Sequence, residues 1–378
     1  MKIGIVAGET SGDFIGAGLI DAIKNRHPEA VFTGICGPKM LALGAVSMCP
    51  MDSISIMGID DLPAQLWNII RIRRRLTDYL ISNPPDVFVG IDVPDFNLRV
   101  ESALHKRGIK TVHYVSPTVW AWRSYRIRKI RKSVDHMLTL FPFEAEYYRK
   151  QFVPVTFVGH PIADEINPNP DMQSLRKNLG IKAKQVVALL PGSRKSEVKR
   201  LGPLFIDVAF SLYRNGRDIE FIVPFANEET KGYFSELLIK RNVELPLHLV
   251  IGISRQAMAA SDVVMLASGT AALEAALLRK PMVVAYKVSW LTGILVKLFA
   301  HVQYFSMPNN LLERPTIPEL LQEKATTTNL VTAVSRFLDE PTLREEVANQ
   351  LAGIYDTLKR GANERAADVI LSVASHRA

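Results

Sequence analysis

Cysteine is nearly absent from this 378-residue chain. Two thiols, Cys36 and Cys49, exclude a disulfide framework and a cysteine-based zinc pattern, so a reducing compartment is expected. Long hydrophobic runs are missing too. No stretch offers the ~18 uncharged apolar residues that a spanning helix needs. The nearest, Val288 to Phe305, is interrupted by Lys297 and His301. The opening "MKIGIVAGETSGD" reaches Glu9 too early for a signal-peptide apolar region. The chain is therefore expected in the cytoplasm, able to touch a membrane without crossing it. Two phosphate signatures are also absent. "AGETSGD", Ala7 to Asp13, is not a GxGxxG fingerprint, and "LLPGSRKSEVKRL", Leu189 to Leu201, lacks the Gly-Lys-Ser/Thr ending of a Walker loop. Acids are the minority charge, 38 against 46 Lys and Arg, for a net +8. That balance favours anionic partners: nucleotides, phosphorylated substrates, nucleic acid or an anionic membrane face.

What is present is a repeating pattern. Short apolar runs alternate with longer amphipathic segments, as in βα units around a parallel sheet. The first half carries "KIGIVAG" (Lys2 to Gly8), "DVFVGID" (Asp86 to Asp92), "KTVHYVS" (Lys110 to Ser116) and "HMLTLF" (His136 to Phe141). The second carries "VVALLPG" (Val186 to Gly192), "IEFIVPF" (Ile219 to Phe225), "LHLVIG" (Leu247 to Gly252), "VVMLAS" (Val263 to Ser268) and "PMVVAY" (Pro281 to Tyr286). Continuous apolarity says both faces of each sheet are covered. "DEINPNPDMQ", Asp164 to Gln173, reads as a linker. The expected class is α/β, with two Rossmann-like doubly wound domains, residues 1–166 and 167–350, followed by a helical stretch, 351–378, packing across them. Ligands bind such sheets at the carboxyl ends of their strands, so a cleft between two sheets is the natural site.

The strand ends carry the chemistry. "ASGT", Ala267 to Thr270, follows a strand and opens a helix, with Ser268 or Thr270 as cap and Gly269 allowing close backbone approach. Free N–H groups and the positive helix end make an anion site. Glu274 lies about one turn further on and suits a ribose diol, although a first-turn acid also stabilises any helix. "PGSR" repeats the arrangement. Gly192 and Ser193 permit phosphate approach, and Arg194 can clamp a diphosphate. In the first half, Glu9 and Asp13 put acids where a phosphate cradle would want none. Thr10 or Ser11 could instead be capping a helix there. Asp92 leaves its strand at the carboxyl edge, where it can take a proton from a hydroxyl nucleophile. Asp95 is the rival base, better suited to a turn. His113 reads as a supporting group. Two basic-aromatic segments, "LWNIIRIRRRL" (Leu66 to Leu76) and the run from Arg123 to Lys132 behind Trp120 and Trp122, fit an anionic membrane surface. No nucleic-acid reader motif accompanies them, so nucleic acid is set aside.

Taken together, the motifs "AGETSGD", "MGI" (Met57 to Ile59), "DVFVGIDVPDFN", "HYVSPTVWAW", "FPFE" (Phe141 to Glu144), "LLPGSR", "ASGTAALE" and "MPNNLL" (Met307 to Leu312) resemble the lipid-A-disaccharide synthase family nearly end to end. That family is similar to other inverting glycosyltransferases with two Rossmann-like domains, the GT-B fold. The resemblance implies UDP-2,3-diacylglucosamine and 2,3-diacylglucosamine 1-phosphate as substrates, a β-1,6-linked disaccharide phosphate and UDP as products, and neither cofactor nor metal. It implies peripheral attachment to the cytoplasmic face of the inner membrane in a bacterium making lipopolysaccharide, with a homodimer admissible. It points to Asp92, Glu9 and Asn309 as catalytic residues, and to Gly192, Ser193, Arg194, Ser268, Gly269, Thr270 and Glu274 as holders of the nucleotide. Apolar "VSWLTGILVKLFAHV", Val288 to Val302, is a further membrane candidate or an ordinary buried helix. Two rivals stand beside this reading: a UDP-sugar epimerase of the same architecture, and a non-enzymatic nucleotide-regulated protein that binds membrane or RNA.

Overall fold

The computed structural model describes residues 1–55, 62–117, 119, 126–267, 269–287 and 304–375. They fall into two compact units, Met1–Asp164 with Leu358–Ala378, and Glu165–Thr357.

The first unit is built on β1 (Lys2–Ala7), β2 (Val31–Ile35), β3 (Val46–Ser47), β4 (Val87–Ile91), β5 (Lys110–Tyr114), β6 (His136–Thr139) and β7 (Val155–Phe157). In space they run β3-β2-β1-β4-β5-β6-β7, all parallel. The winding reverses between β1 and β4, and there the carboxyl ends open a crevice. β4 is buried along its whole length, which requires cover on both faces. Neighbouring residues on it report the two layers. A Cβ on Gly90 would run into Glu101 of the helix Pro94–His105, whereas Ile91 lies against Gly12 and Gly16 of the helix Thr10–Lys24. The helix Ala362–Ser375 packs on Thr10–Lys24. Arg26 ties them, 2.7 Å from Glu364 and 2.5 Å from Asp368.

The second unit repeats the plan with β8 (Gln185–Leu190), β9 (Ile219–Phe225), β10 (Leu247–Ile251), β11 (Val263–Ala267), β12 (Met282–Tyr286) and β13 (Glu319–Leu321). Their order is β10-β9-β8-β11-β12-β13, again all parallel. The reversal lies between β8 and β11. The helix Lys195–Arg214 packs against Thr327–Asp339, and Ser254–Ala260 against Met172–Asn178.

All nine apolar runs are strands. The four others escaped for physical reasons. β2 is interrupted by Thr33-Gly34, and Gly34 is there because a Cβ would strike the Ile5 carbonyl. β3, β7 and β13 have only two or three residues. The stretch read as a linker, 164–173, contains the division between the two units. The helix Pro161–Glu165 ends in it, and Asp171 caps Met172–Asn178 by accepting the N–H groups of Gln173 and Ser174, both at 3.1 Å.

Candidate active site

At the β1/β4 reversal the two strand ends are locked together. Gly8 follows β1, and a Cβ on it would run into Val93 Cγ2 beyond β4. The Ser55 hydroxyl donates to the Gly8 carbonyl. Glu9 is the N-cap residue of Thr10–Lys24, extended and exposed, and its side chain makes no capping bond. Neither Thr10 nor Ser11 caps the helix. They are its first residues, which leaves the Glu9 carboxylate facing outward. Asp13 has a different task. It is buried and accepts the N–H groups of Lys39 (2.9 Å) and Met40 (3.1 Å), capping the helix Pro38–Ala42.

Asp92 follows β4 in the left-handed region, φ +53°, and so does Val93, φ +42°. The Asp92 N–H donates to the Tyr114 carbonyl at 2.9 Å. The Asn97 side-chain amide donates to the Ile91 and Asp92 carbonyls at 3.2 and 2.7 Å. The half-buried Asp92 carboxylate has no partner among the described residues. Asp95 differs: it is exposed, 2.6 Å from Arg126. Beneath this edge His113 Nδ1 lies 2.7 Å from Glu101 Oε1, both side chains fully buried. Burial pushes the Glu101 carboxyl up, against the pull of His113.

At the β8/β11 reversal Gly192 takes φ +133°, and a Cβ there would collide with Glu197. Glu197 folds back over the turn, and its Oε2 accepts the Ser193 N–H at 2.8 Å and the Arg194 N–H at 3.2 Å. Those two amides were expected to be open to a diphosphate; a capping box already holds them. The Arg194 side chain is exposed. Across the reversal, Gly269 is the N-cap of the helix Thr270–Leu277, with no side-chain cap. Thr270 is the first helical residue rather than the cap. Glu274 has found a partner, Arg255 Nε at 2.8 Å, and Arg255 also lies 3.3 Å from Glu165. Although burial disfavours its charge, Glu274 and Glu165 hold the Arg255 guanidinium above its ordinary range.

Asn309 lies on the helix Met307–Leu312, which packs against Thr270–Leu277. It is 1% exposed, and its amide is spent on its own chain. Nδ2 donates to the Ile317 carbonyl (2.9 Å) and Glu319 (2.7 Å), and Oδ1 accepts the Ile317 N–H (2.8 Å). Glu319 also accepts the N–H groups of Phe305 and Ser306. Asn309 thus fastens the chain between its own helix and Ile317–Glu319.

The basic segments do approach one another. Burial, then the nearby cations Arg99 and Arg74, lowers Arg73, and burial, then Arg99 and Arg126, lowers Lys129. Arg99 is therefore their meeting point. Trp67 is 71% exposed and lines a shallow groove with Asn68, Ile70, Arg71 and Arg74. Among the described residues no helix is long and apolar enough to cross a membrane, and no three His, Cys, Asp or Glu side chains gather as a metal site. Met57 to Ile59, Trp120, Trp122, Arg123, Ser268 and Val288 to Val302 lie outside the described residues. Sequence reasoning missed Arg255, Glu197 and Asn97. Only Glu197 had a readable signal, its place three residues after the N-cap.

A family model described as lipid-A-disaccharide synthetase matches residues 3–373. The lipid-A-disaccharide synthase of Pseudomonas putida is 46% identical over 375 residues, covering 99% of both chains. That of Chromohalobacter salexigens is 45% identical over 377 residues, covering 100% of this chain and 98% of its own. Among solved structures, the UDP-GlcNAc 2-epimerase of Neisseria meningitidis bound to UDP-GlcNAc aligns with a TM-score of 0.65 at 13% identity, covering 98% of this chain and 100% of that one. A calicheamicin glycosyltransferase aligns with a TM-score of 0.60 at 15% identity, covering 98% and 97%. At such identities the structures speak for the fold alone, and that fold serves epimerases and glycosyltransferases alike.

Proposed function

The chain belongs to the lipid-A-disaccharide synthase family of glycosyltransferases, and from that premise we propose a specific reaction. 2,3-Diacylglucosamine passes from its UDP derivative to the primary hydroxyl of 2,3-diacylglucosamine 1-phosphate. Asp92 takes the hydroxyl proton as the oxygen bonds to the anomeric carbon. The bond from that carbon to the diphosphate breaks on the opposite face, its electron pair leaves with UDP, and the configuration inverts to a β-1,6 linkage. The observation that carries this reading is the half-buried Asp92 carboxylate at the β1/β4 reversal, without a partner among the described residues.

The nucleotide has its own reversal, β8/β11. The leaving diphosphate is met by the N-termini of Lys195–Arg214 and Thr270–Leu277 and by the exposed Arg194 guanidinium. Gly192, Ser193, Ser268, Gly269 and Thr270 let the phosphates approach, and the phosphate takes over the amides that Glu197 holds. Glu274 accepts the ribose hydroxyls, oriented by Arg255. Glu9, beside Asp92 through the Gly8–Val93 contact, is the alternative base or a binder of the acceptor. Asn309 acts at one remove, by fastening its loop. The acyl chains keep the enzyme at the cytoplasmic face of the inner membrane, where the cations around Arg99 and the exposed Trp67 favour an anionic lipid surface.

The test is a product assay by mass spectrometry with both lipid substrates in detergent, EDTA present. A disaccharide phosphate and one UDP per transfer are expected. An epimerised sugar nucleotide without disaccharide would overturn the reading. Vesicle flotation checks the surface: removing the charges of Arg71, Arg73 and Arg74 should lower binding to anionic vesicles, and unchanged binding would defeat the membrane assignment.

A further inference from the structure

We propose that Asn97 is a positioning residue for Asp92, and that the buried Glu101–His113 pair braces it. The inference rests on Asp92 being the base.

Asp92 and Val93 are consecutive non-glycine residues in the left-handed region. Such a backbone is unfavourable, most of all for β-branched valine, and persists only where its surroundings impose it. Beside the Asp92 N–H bond to the Tyr114 carbonyl, one side chain holds it. Asn97 is fully buried, and its Nδ2 donates to the carbonyls of Ile91 (3.2 Å) and Asp92 (2.7 Å). Those carbonyls belong to the two peptide planes that bracket the Asp92 Cα. Holding both planes fixes φ and ψ of Asp92, and with them the direction of its Cα–Cβ bond. A primary amide supplies two donors on one nitrogen; Asp supplies none and Ser only one.

The brace lies one turn further along the same helix. Glu101 pairs with His113 at 2.7 Å, both side chains without exposure. Gly90 makes room, since a Cβ there would meet Glu101 Oε1 and the Asn97 side chain. The arrangement is expensive. Asn97 Oδ1, Glu101 Oε2 and His113 Nε2 are buried without a hydrogen-bond partner among the described residues. A helix resting on a strand is more stable with apolar side chains than with unpaired polar ones. Polar groups kept here at a loss point to the catalytic edge above them rather than to stability.

The test compares Asn97→Ala, Asn97→Ser, Asp92→Asn and a control, Val100→Ala, which removes buried methyls from the same helix. For each, kcat, KM for both substrates and the denaturant midpoint are measured. Asn97→Ala should lower kcat about 10- to 100-fold with KM for the sugar nucleotide within about twofold, the signature of a misaimed base. Asn97→Ser, which keeps one donor and folds if Asn97→Ala does not, should fall between it and wild type. Val100→Ala should lose stability and keep its kcat. Wild-type kcat in either Asn97 variant, or a loss no greater than that of Val100→Ala at matched stability, overturns the proposal. Near-normal turnover in Asp92→Asn while both Asn97 variants are slow would instead remove Asp92 from the base role.

Discussion

The two sheets share the order of their first six strands, the first sheet adding β7, and their reversals differ in sign. In the first, the β1/β4 reversal presents two carboxylates, Glu9 on extended backbone and Asp92 on backbone bent without glycine. In the second, the β8/β11 reversal presents helix N-termini, a guanidinium and glycines, and the bend at Gly192 falls on a residue that tolerates it. Topology places a reactive edge at the same point in both units, and the loops decide what that edge can bind. An acidic edge suits a hydroxyl that must lose a proton. An amide-rich edge suits a phosphate that arrives already charged. Among the described residues Asp92 is unpaired at the acidic edge, whereas Glu197 and Arg255 already hold groups at the edge proposed for the nucleotide.

The largest test of that contrast is Asp92→Asn. Loss of a general base should lower kcat about 100- to 10,000-fold, with UDP affinity unchanged by isothermal titration. A parallel loss of UDP binding would dissolve the division of labour. Next is Gly192→Ala, which forces a Cβ into Glu197 at a left-handed φ. Urea denaturation should show a loss of about 1–3 kcal/mol, with weakened UDP binding and Asp92 chemistry intact in single turnover at saturating donor. Glu274→Gln should weaken UDP about tenfold, a charged hydrogen bond being exchanged for a neutral one at the ribose. Glu197→Gln is expected to move the other way. A neutral amide holds the Ser193 and Arg194 N–H groups less firmly, so UDP should bind about fivefold tighter; weaker binding would make Glu197 a support of the turn rather than a competitor.

The smallest effect on activity belongs to the opposite, amino edge of the second sheet. Lys280 is largely buried, donates to the Ser261 carbonyl at 2.9 Å, and burial lowers it from 10.5 to about 8. The unfolded chain therefore binds this proton up to pH ~10.4, while the folded chain releases it near pH 8. Between those values stability should rise with pH, by about 3 kcal/mol. Lys280→Met should abolish the rise in urea denaturation, with kcat unaffected at neutral pH.

How much of this could be read from the sequence follows from what each residue interacts with. Nine strands were legible because both-face burial writes a continuous apolar run. β2 was not, because Gly34 answers to a neighbouring backbone far along the chain. The turns at Asp92, Gly192 and Gly269 were legible because each follows such a run. The occupants were not. Arg255 meets Glu274 across 19 residues and two separate helices, a pairing that no local spacing encodes. The motif singled out Asn309, but nothing local shows that its amide answers to Ile317 and Glu319. Asn97, in the same motif as Asp92, was passed over because a buried amide carries no charge to draw attention.

The helix Ala362–Ser375 belongs to the first unit, although the second intervenes in the chain. On the ribosome this imposes a delay. The face of the first sheet that receives Ala362, Ala366, Ala367 and Ile370 emerges early and stays uncovered while roughly 200 more residues are made, about 10–40 s at ordinary elongation rates. Through that interval the nascent first unit carries a sticky, unfinished flank. A chaperone has its opportunity there, and a ribosome stalled inside the second unit would release a product more prone to aggregate than either finished half.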